Sequence, residues 1–331
     1  LMSGKNLLIT GGAGFLGYYL VQTVLYWNEH KSNRNPINLT LYDNFTRGIP
    51  SWLGSFKNTE NLKIQKYNVI DPIHEEIEDF EYIIHAASIA SPTYYRKKPI
   101  ETMDANIVGL RNLLDYFLIR KNKGKSIKGF LFFSTSEIYG NPPPENIPTP
   151  ETYLGNVSCT GPRACYDESK RYGETLCVNF ANHYKLPIRI ARPFNNYGPG
   201  LKITDGRVLS DFVKNVIEGS DIELYSDGSP TRTFCYVADA IIGYYKILVL
   251  GRDAESYNIG TDGPEISIKE LAEKVVKQSK KLLNYTGKLV LRISKDNDYL
   301  TDNPNRRCPI IAKAKDELGY CPQITLADGL E

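Results

Sequence analysis

Tyr166 and Lys170 lie four residues apart in the stretch ACYDESKRYGE, a spacing that puts both side chains on one face of a helix. A free phenol ionises near pH 10, too high for a base at neutral pH. A neighbouring ammonium favours the phenolate, and the positive ring of an oxidised nicotinamide favours it further. A tyrosine tuned in this way can take the proton from a sugar hydroxyl while hydride leaves for a nicotinamide. The pair alone is a weak signal, since it recurs in many helices. What raises it is the run Ser134-Thr135-Ser136-Glu137, which closes a strand-like segment. The carboxyl ends of parallel strands are where such a sheet opens its active-site crevice.

A second group of residues points to a dinucleotide. LLITGGAGFLGYYL places Gly11, Gly14 and Gly17 between a short apolar strand and an apolar helix, with Phe15 and Leu16 opening that helix. Glycines there allow a tight turn and close backbone approach, so that helix N–H groups can hold a pyrophosphate. Asp43 follows at the end of the second strand, in LTLYDNF. A carboxylate at that point accepts ribose hydroxyls and repels a 2′-phosphate, which selects NAD over NADP. Arg47, four residues on, tempers that choice. Asn44, Asn68, Val69, Ala86 and Ala87, near the ends of the second, third and fourth strands, are expected to complete the cofactor site.

These groups need a frame, and the first half of the chain supplies one. Strand-like runs at Lys5–Thr10, Ile37–Tyr42, Leu62–Val69, Tyr82–Ala87, Gly129–Ser134 and Ile188–Arg192 alternate with helical patterns at Phe15–Trp27, Pro99–Arg120 and Tyr166–His183. That alternation predicts an α/β fold, a Rossmann-type doubly wound parallel sheet. Pro142–Pro150 is a break, and NNYGPG, SDGSP and TDGPE are turn clusters in a loop-rich second half. Phe234–Leu250 reads as a helix returning to the sheet. The expected division is a Rossmann domain over residues 1–193, joined by 234–259, and a smaller substrate lobe over 194–233 and 260–331.

Bulk properties set limits. The 331 residues are 41% hydrophobic and 24% charged, the balance of an ordinary globular protein. A net charge of +2 gives no basic field for nucleic acid or a membrane surface, so an anionic ligand must be held by local arginines and backbone amides. No apolar run reaches membrane-spanning length, and the N-terminus is too short and polar to read as a signal peptide. Six cysteines without a CxxC pair imply reduced thiols and a cytoplasmic protein. The four histidines, His30, His74, His85 and His183, lack zinc-ligand spacing, and no metal is expected.

GGAGFLG, STSEIYG and YDESK together resemble the extended short-chain dehydrogenase/reductases, the epimerase/dehydratase group, over nearly the whole chain. HAASIASPTYY, YLGNVSCTGPRACYDESKR, RIARPFNNYGPG and SPTRTFCYV are similar to the UDP-glucuronate decarboxylases in particular. That resemblance implies Thr135 at the sugar O4, Tyr166 as base tuned by Lys170, and Ser136 and Glu137 near C5 and the carboxylate. It implies Arg307 as the group that engages the substrate carboxylate and Tyr95 as a sugar contact. Asn195, Arg207 and Arg232 would hold the nucleotide diphosphate and ribose, and Asn106, near Lys170, would bind the cofactor together with Tyr166 and Lys170. It also implies NAD as cofactor, a UDP-sugar substrate, a homodimer built on the Pro99–Arg120 and Tyr166–His183 helices, and a final helix beyond Glu331.

This sequence departs from the decarboxylase pattern at Asn68, whose amide oxygen can still accept from adenine, and at Pro193, Gly200 and Cys308, which are expected around the nucleotide-sugar pocket. Other readings stay open on the residues. A 4,6-dehydratase needs an acid where Ser136 stands, a 4-epimerase needs no glutamate at 137, and a non-catalytic NAD-binding sensor needs neither Tyr166 nor Lys170. Arg306 and Arg307 could also be an ordinary solvated basic pair.

Overall fold

A computed structural model describes residues 1–31, 35–56, 59–73, 79–292, 301 and 303–331. Six strands follow the expected order: β1 (Asn6–Thr10), β2 (Asn38–Asp43), β3 (Leu62–Lys66), β4 (Tyr82–His85), β5 (Gly129–Phe133) and β6 (Ile188–Pro193). A strand not foreseen, Ser256–Ile259, pairs with β6 and completes a seven-stranded parallel sheet in the order 256–259, β6, β5, β4, β1, β2, β3. The order reverses at β1, and the crevice of such a sheet lies at that switch point.

Helices cover both faces. On one side lie α1 (Phe15–His30) and the later Val237–Leu250 helix; on the other lie α4 (Pro99–Asn122) and α5 (Ala164–Tyr184), with the short helices α2 (Ser51–Ser55) and α3 (Pro92–Lys97) at the crevice end. The division follows from the two-residue period of a strand. Along fully buried β5, Leu131 and Phe133 enter the first core, while Phe130 and Phe132 enter the second.

Strand ends differ from the sequence reading. β3 stops at Lys66 and β4 at His85, so that Asn68, Val69, Ala86 and Ala87 lie in the loops that line the crevice. The helix expected from Phe234 starts at Val237, because Cys235 and Tyr236 pair in parallel with Asn196 and Tyr197.

Leu209, Phe212, Ile222, Leu224, Ile266, Leu271 and Val275 form a separate core for the smaller lobe. Ile311, Ala314, Leu318 and Tyr320 do not join it. They pack with the helix 237–250 against the sheet, so this part of 260–331 belongs with the larger core.

Candidate active site

One continuous cavity of about 1170 Å³ runs from the glycine turn to the lobe. A single small-molecule site occupies roughly 300–1,000 Å³, so there is room here for a dinucleotide and a second ligand together.

At the dinucleotide end, Gly11 turns at φ +73°, and a Cβ on it would lie 2.6 Å from the Ala87 Cα, so backbone fills the place of a side chain. Asp43 faces this turn. Its carboxylate accepts from the Ala13 N–H at 3.0 Å and the Phe45 N–H at 2.7 Å. Burial nevertheless raises its pKa above the usual carboxylate value. Gly14, Phe15, Leu16, Gly17, Asn44, Asn68, Val69, Ala86 and Ala87 all line the same wall. Arg47 is turned elsewhere: its guanidinium lies 3.8 Å over the Tyr94 ring and 3.2 Å from Asp205. The cradle, the acid and the room beyond them fit NAD.

The middle of the cavity holds the Tyr-Lys pair. Gly173 lets α5 lie against β5, since a Cβ there would meet the Phe132 ring at 2.6 Å. This close approach sets Tyr166, on the first turn of α5, beside Thr135 at the end of β5. Lys170 lies one turn on, its Nζ 5.9 Å from the centre of the Tyr166 ring and donating to the Phe133 carbonyl at 2.8 Å. Burial pulls Lys170 down to about 7.

Burial also pushes Tyr166 up to about 12, against smaller lowering effects from the Thr135 hydroxyl and Arg207. The Lys170 ammonium is itself desolvated and engaged by a carbonyl. Asn106 sits behind this pair and does not line the cavity; its Nδ2 donates to the Ser169 hydroxyl at 2.8 Å. Tyr95 stacks on Tyr166, with ring centres 5.0 Å apart and planes 8° from parallel.

At the far end, two short strands bring the arginines together. Arg307 pairs in register with Arg232, and Arg306 with Thr231, so the two adjacent arginines point to opposite faces. Arg306 leaves the cavity and grips Glu265 with two bonds of 2.9 and 2.7 Å. Arg307 is 5% exposed, forms an ion pair with Glu137 and donates to the Ser136 hydroxyl at 3.2 Å; its Nη2 has no partner among the described residues. A basic pair in solvent is thus excluded for Arg307. Arg232 is enclosed by the carbonyls of Thr231, Pro304 and Asn305; burial, with Arg307 beside it, lowers its pKa to about 9. Arg207 pairs with Asp205 at 3.0 Å, and the Asn195 amide donates to the Thr233 carbonyl at 2.9 Å.

Two residues here were not foreseen. Arg163 forms a second ion pair with Glu137, and its Nε lies 3.5 Å from Asp167. Burial alone would raise Glu137, but Arg163 and Arg307 outweigh it and hold the carboxyl down at about 2. Asp167 is pushed up to about 7 by burial and by the Glu137 charge. The i, i+4 spacing of Arg163 and Asp167 on either side of Tyr166 was a signal available in the sequence.

Residues 7–260 match the model of the NAD dependent epimerase/dehydratase family. The chain belongs to the NAD-dependent epimerase/dehydratase family. Among curated relatives, UDP-glucuronic acid decarboxylase 5 of Arabidopsis thaliana is 36% identical over 328 residues, covering 99% of this chain and 88% of that protein. UDP-glucuronic acid decarboxylase 1 of Xenopus tropicalis is 35% identical over 330 residues, covering 98% of this chain and 70% of that one.

Solved members of the family share the fold. A UDP-glucose 4-epimerase from Thermotoga maritima superposes with a TM-score of 0.80 at 25% identity, covering 98% of this chain and 96% of that one. A dTDP-glucose 4,6-dehydratase from Bacillus anthracis, in complex with NAD, gives 0.78 at 26% identity, covering 98% and 94%.

Proposed function

We propose that this chain decarboxylates UDP-glucuronate to UDP-xylose, or to its 4-keto precursor, with NAD as resident cofactor. The observation that carries the reading is buried Arg307, whose Nη1 meets Ser136 and Glu137 and whose Nη2 has no partner among the described residues, within the same cavity as Tyr166. An acidic sugar whose C4 hydroxyl faces Tyr166 would present its carboxylate to this guanidinium. The decarboxylase names of the relatives support the same choice.

NAD, held by the glycine turn with its ribose on Asp43, would supply the hydride acceptor at C4 and its return. Thr135 orients the C4 hydroxyl and Tyr166 takes its proton. The resulting β-keto acid loses CO₂ readily, because the electrons of the breaking bond delocalise into the ketone. Arg307 fixes the carboxylate without needing to stabilise it beyond the transition state. Ser136 and Glu137 would lie near C5 and the carboxylate. Asn195, Arg207 and Arg232 offer the diphosphate and ribose a polar, cationic wall. A 4-epimerase acting on the same acidic sugar would use Tyr166, Thr135, Lys170 and Arg307 alike but leaves Glu137 without a task.

No helix among the described residues is long and apolar enough to cross a membrane. The six cysteines, all unpaired, support a reducing, cytoplasmic setting. Ile100, Met103, Val108 and Ile119 on α4, with Tyr172 and Tyr184 on α5, expose apolar surface that supports a homodimer through these two helices.

The test is turnover of UDP-glucuronate by the purified protein with NAD⁺, in wild type and in Tyr166→Phe and Arg307→Ala. UDP-xylose or its ketose, lost in both variants, supports the reading. UDP-galacturonate formation overturns it in favour of an epimerase.

A further inference from the structure

Three guanidiniums, Arg163, Arg232 and Arg307, face two carboxyl groups, Glu137 and Asp167, at the far end of the cavity. Glu137 is gripped from two directions. Arg307 reaches it from the short lobe strand 306–307, and Arg163 reaches it from the start of the helix that carries Tyr166. Arg163 is braced in turn: Asp167 lies 3.5 Å from its Nε, and its guanidinium carbon lies 6.0 Å from the centre of the Tyr95 ring.

The decarboxylase reading above asks Arg307 to receive a sugar carboxylate while Glu137 stays beside it. One guanidinium would then neutralise two anions a few ångströms apart, and like charges that close disfavour each other's ionised form. Left alone with Arg307, Glu137 would compete with the substrate for it. A second cation on Glu137 removes that competition.

We propose that Arg163, braced by Asp167, is a specificity-determining residue that neutralises Glu137 and so frees Arg307 for the carboxylate of an acidic nucleotide sugar. The balance of charge agrees. Once such a ligand is bound, three cations face three acidic groups. Both guanidiniums form ion pairs with Glu137 and lower its pKa against its burial. Arg163 touches no reacting atom in this account; it acts through Glu137 and Arg307.

The test compares an acidic ligand with a neutral one on the NAD-loaded protein. In a Tyr166→Phe background, where UDP-glucuronate is bound but not turned over, titration calorimetry gives the affinities for UDP-glucuronate and for UDP-xylose, which lacks the carboxylate. Arg163→Gln is expected to weaken UDP-glucuronate at least tenfold while UDP-xylose changes less than threefold, and Arg163→Lys should recover most of the loss. Equal weakening of both ligands would show a merely structural residue and overturn the proposal, as would unchanged binding of both. If Arg163→Gln does not fold, Arg163→Lys carries the test, with the same selective but smaller loss expected and an equal loss contradicting it. Failure of the wild type to release CO₂ from UDP-glucuronate would instead overturn the functional reading on which this rests.

Discussion

At the scale of single residues, the two adjacent arginines make the sharpest contrast. Arg306 is partly exposed and tied to Glu265, a pair worth at most about 1 kcal/mol. Arg307 is buried against Glu137 and Ser136. Arg306→Ala should therefore leave kcat/KM within a few-fold, whereas Arg307→Ala should lose roughly 10²–10³-fold, the cost of removing one preorganised charged donor. Steady-state assays of the two variants check this directly. The sequence showed an RR dipeptide and could not say which arginine faced inward; that depends on the register with Thr231 and Arg232, seventy-five residues earlier in the chain.

Lys170 adds a prediction about pH. Its folded value, near 7, lies below the unfolded value of 10.5, so between these the unfolded chain binds more protons and stability rises with pH. Below about 7 both states carry the proton, and the cost of burying the charge stands in full. Lys170→Met should unfold at a higher urea concentration than wild type at pH 7, with a smaller gap at pH 9. A constant gap would mean that the lysine is not buried as an ammonium. Tyr166 and Lys170 were legible from their spacing taken with the Ser134–Glu137 run, but the direction of their pKa values was not, because burial dominates both.

At the scale of elements, α5 is held against β5 by the absence of a side chain at Gly173. Gly173→Val should cost about 1–3 kcal/mol by overpacking against Phe132. Because the same contact places Tyr166, kcat should fall further than stability explains. Urea melts and initial rates at a temperature where the variant is fully folded separate the two effects. The central strands were readable because apolar runs buried on both faces are continuous. The strand 256–259 was missed, since SYNI alternates polar and apolar residues and gains its place only by pairing with β6.

At the scale of the whole molecule, the glycine turn, the Tyr-Lys pair and the arginine strand come from distant parts of the chain and meet along one cavity. The order of motifs told of this convergence. It did not reveal that residues 311–320 return to the sheet, because Ile311, Ala314, Leu318 and Tyr320 have no partner in sequence to announce it. The exposed apolar faces of α4 and α5 carry the dimer expectation. Met103→Glu with Val108→Glu should convert a dimer to a monomer in sedimentation velocity; a wild type that is already monomeric would refute that assembly.

On the decarboxylase reading, the bond between C5 and the carboxylate breaks in this cavity and C5 is then protonated. The most direct measurement is turnover of carboxyl-labelled UDP-glucuronate in D₂O with NAD⁺, following labelled CO₂ and the NMR spectrum of the sugar. The account predicts one CO₂ released per pentose formed, each pentose carrying one solvent deuterium at C5. A product that keeps its labelled carboxylate with C4 inverted would contradict it.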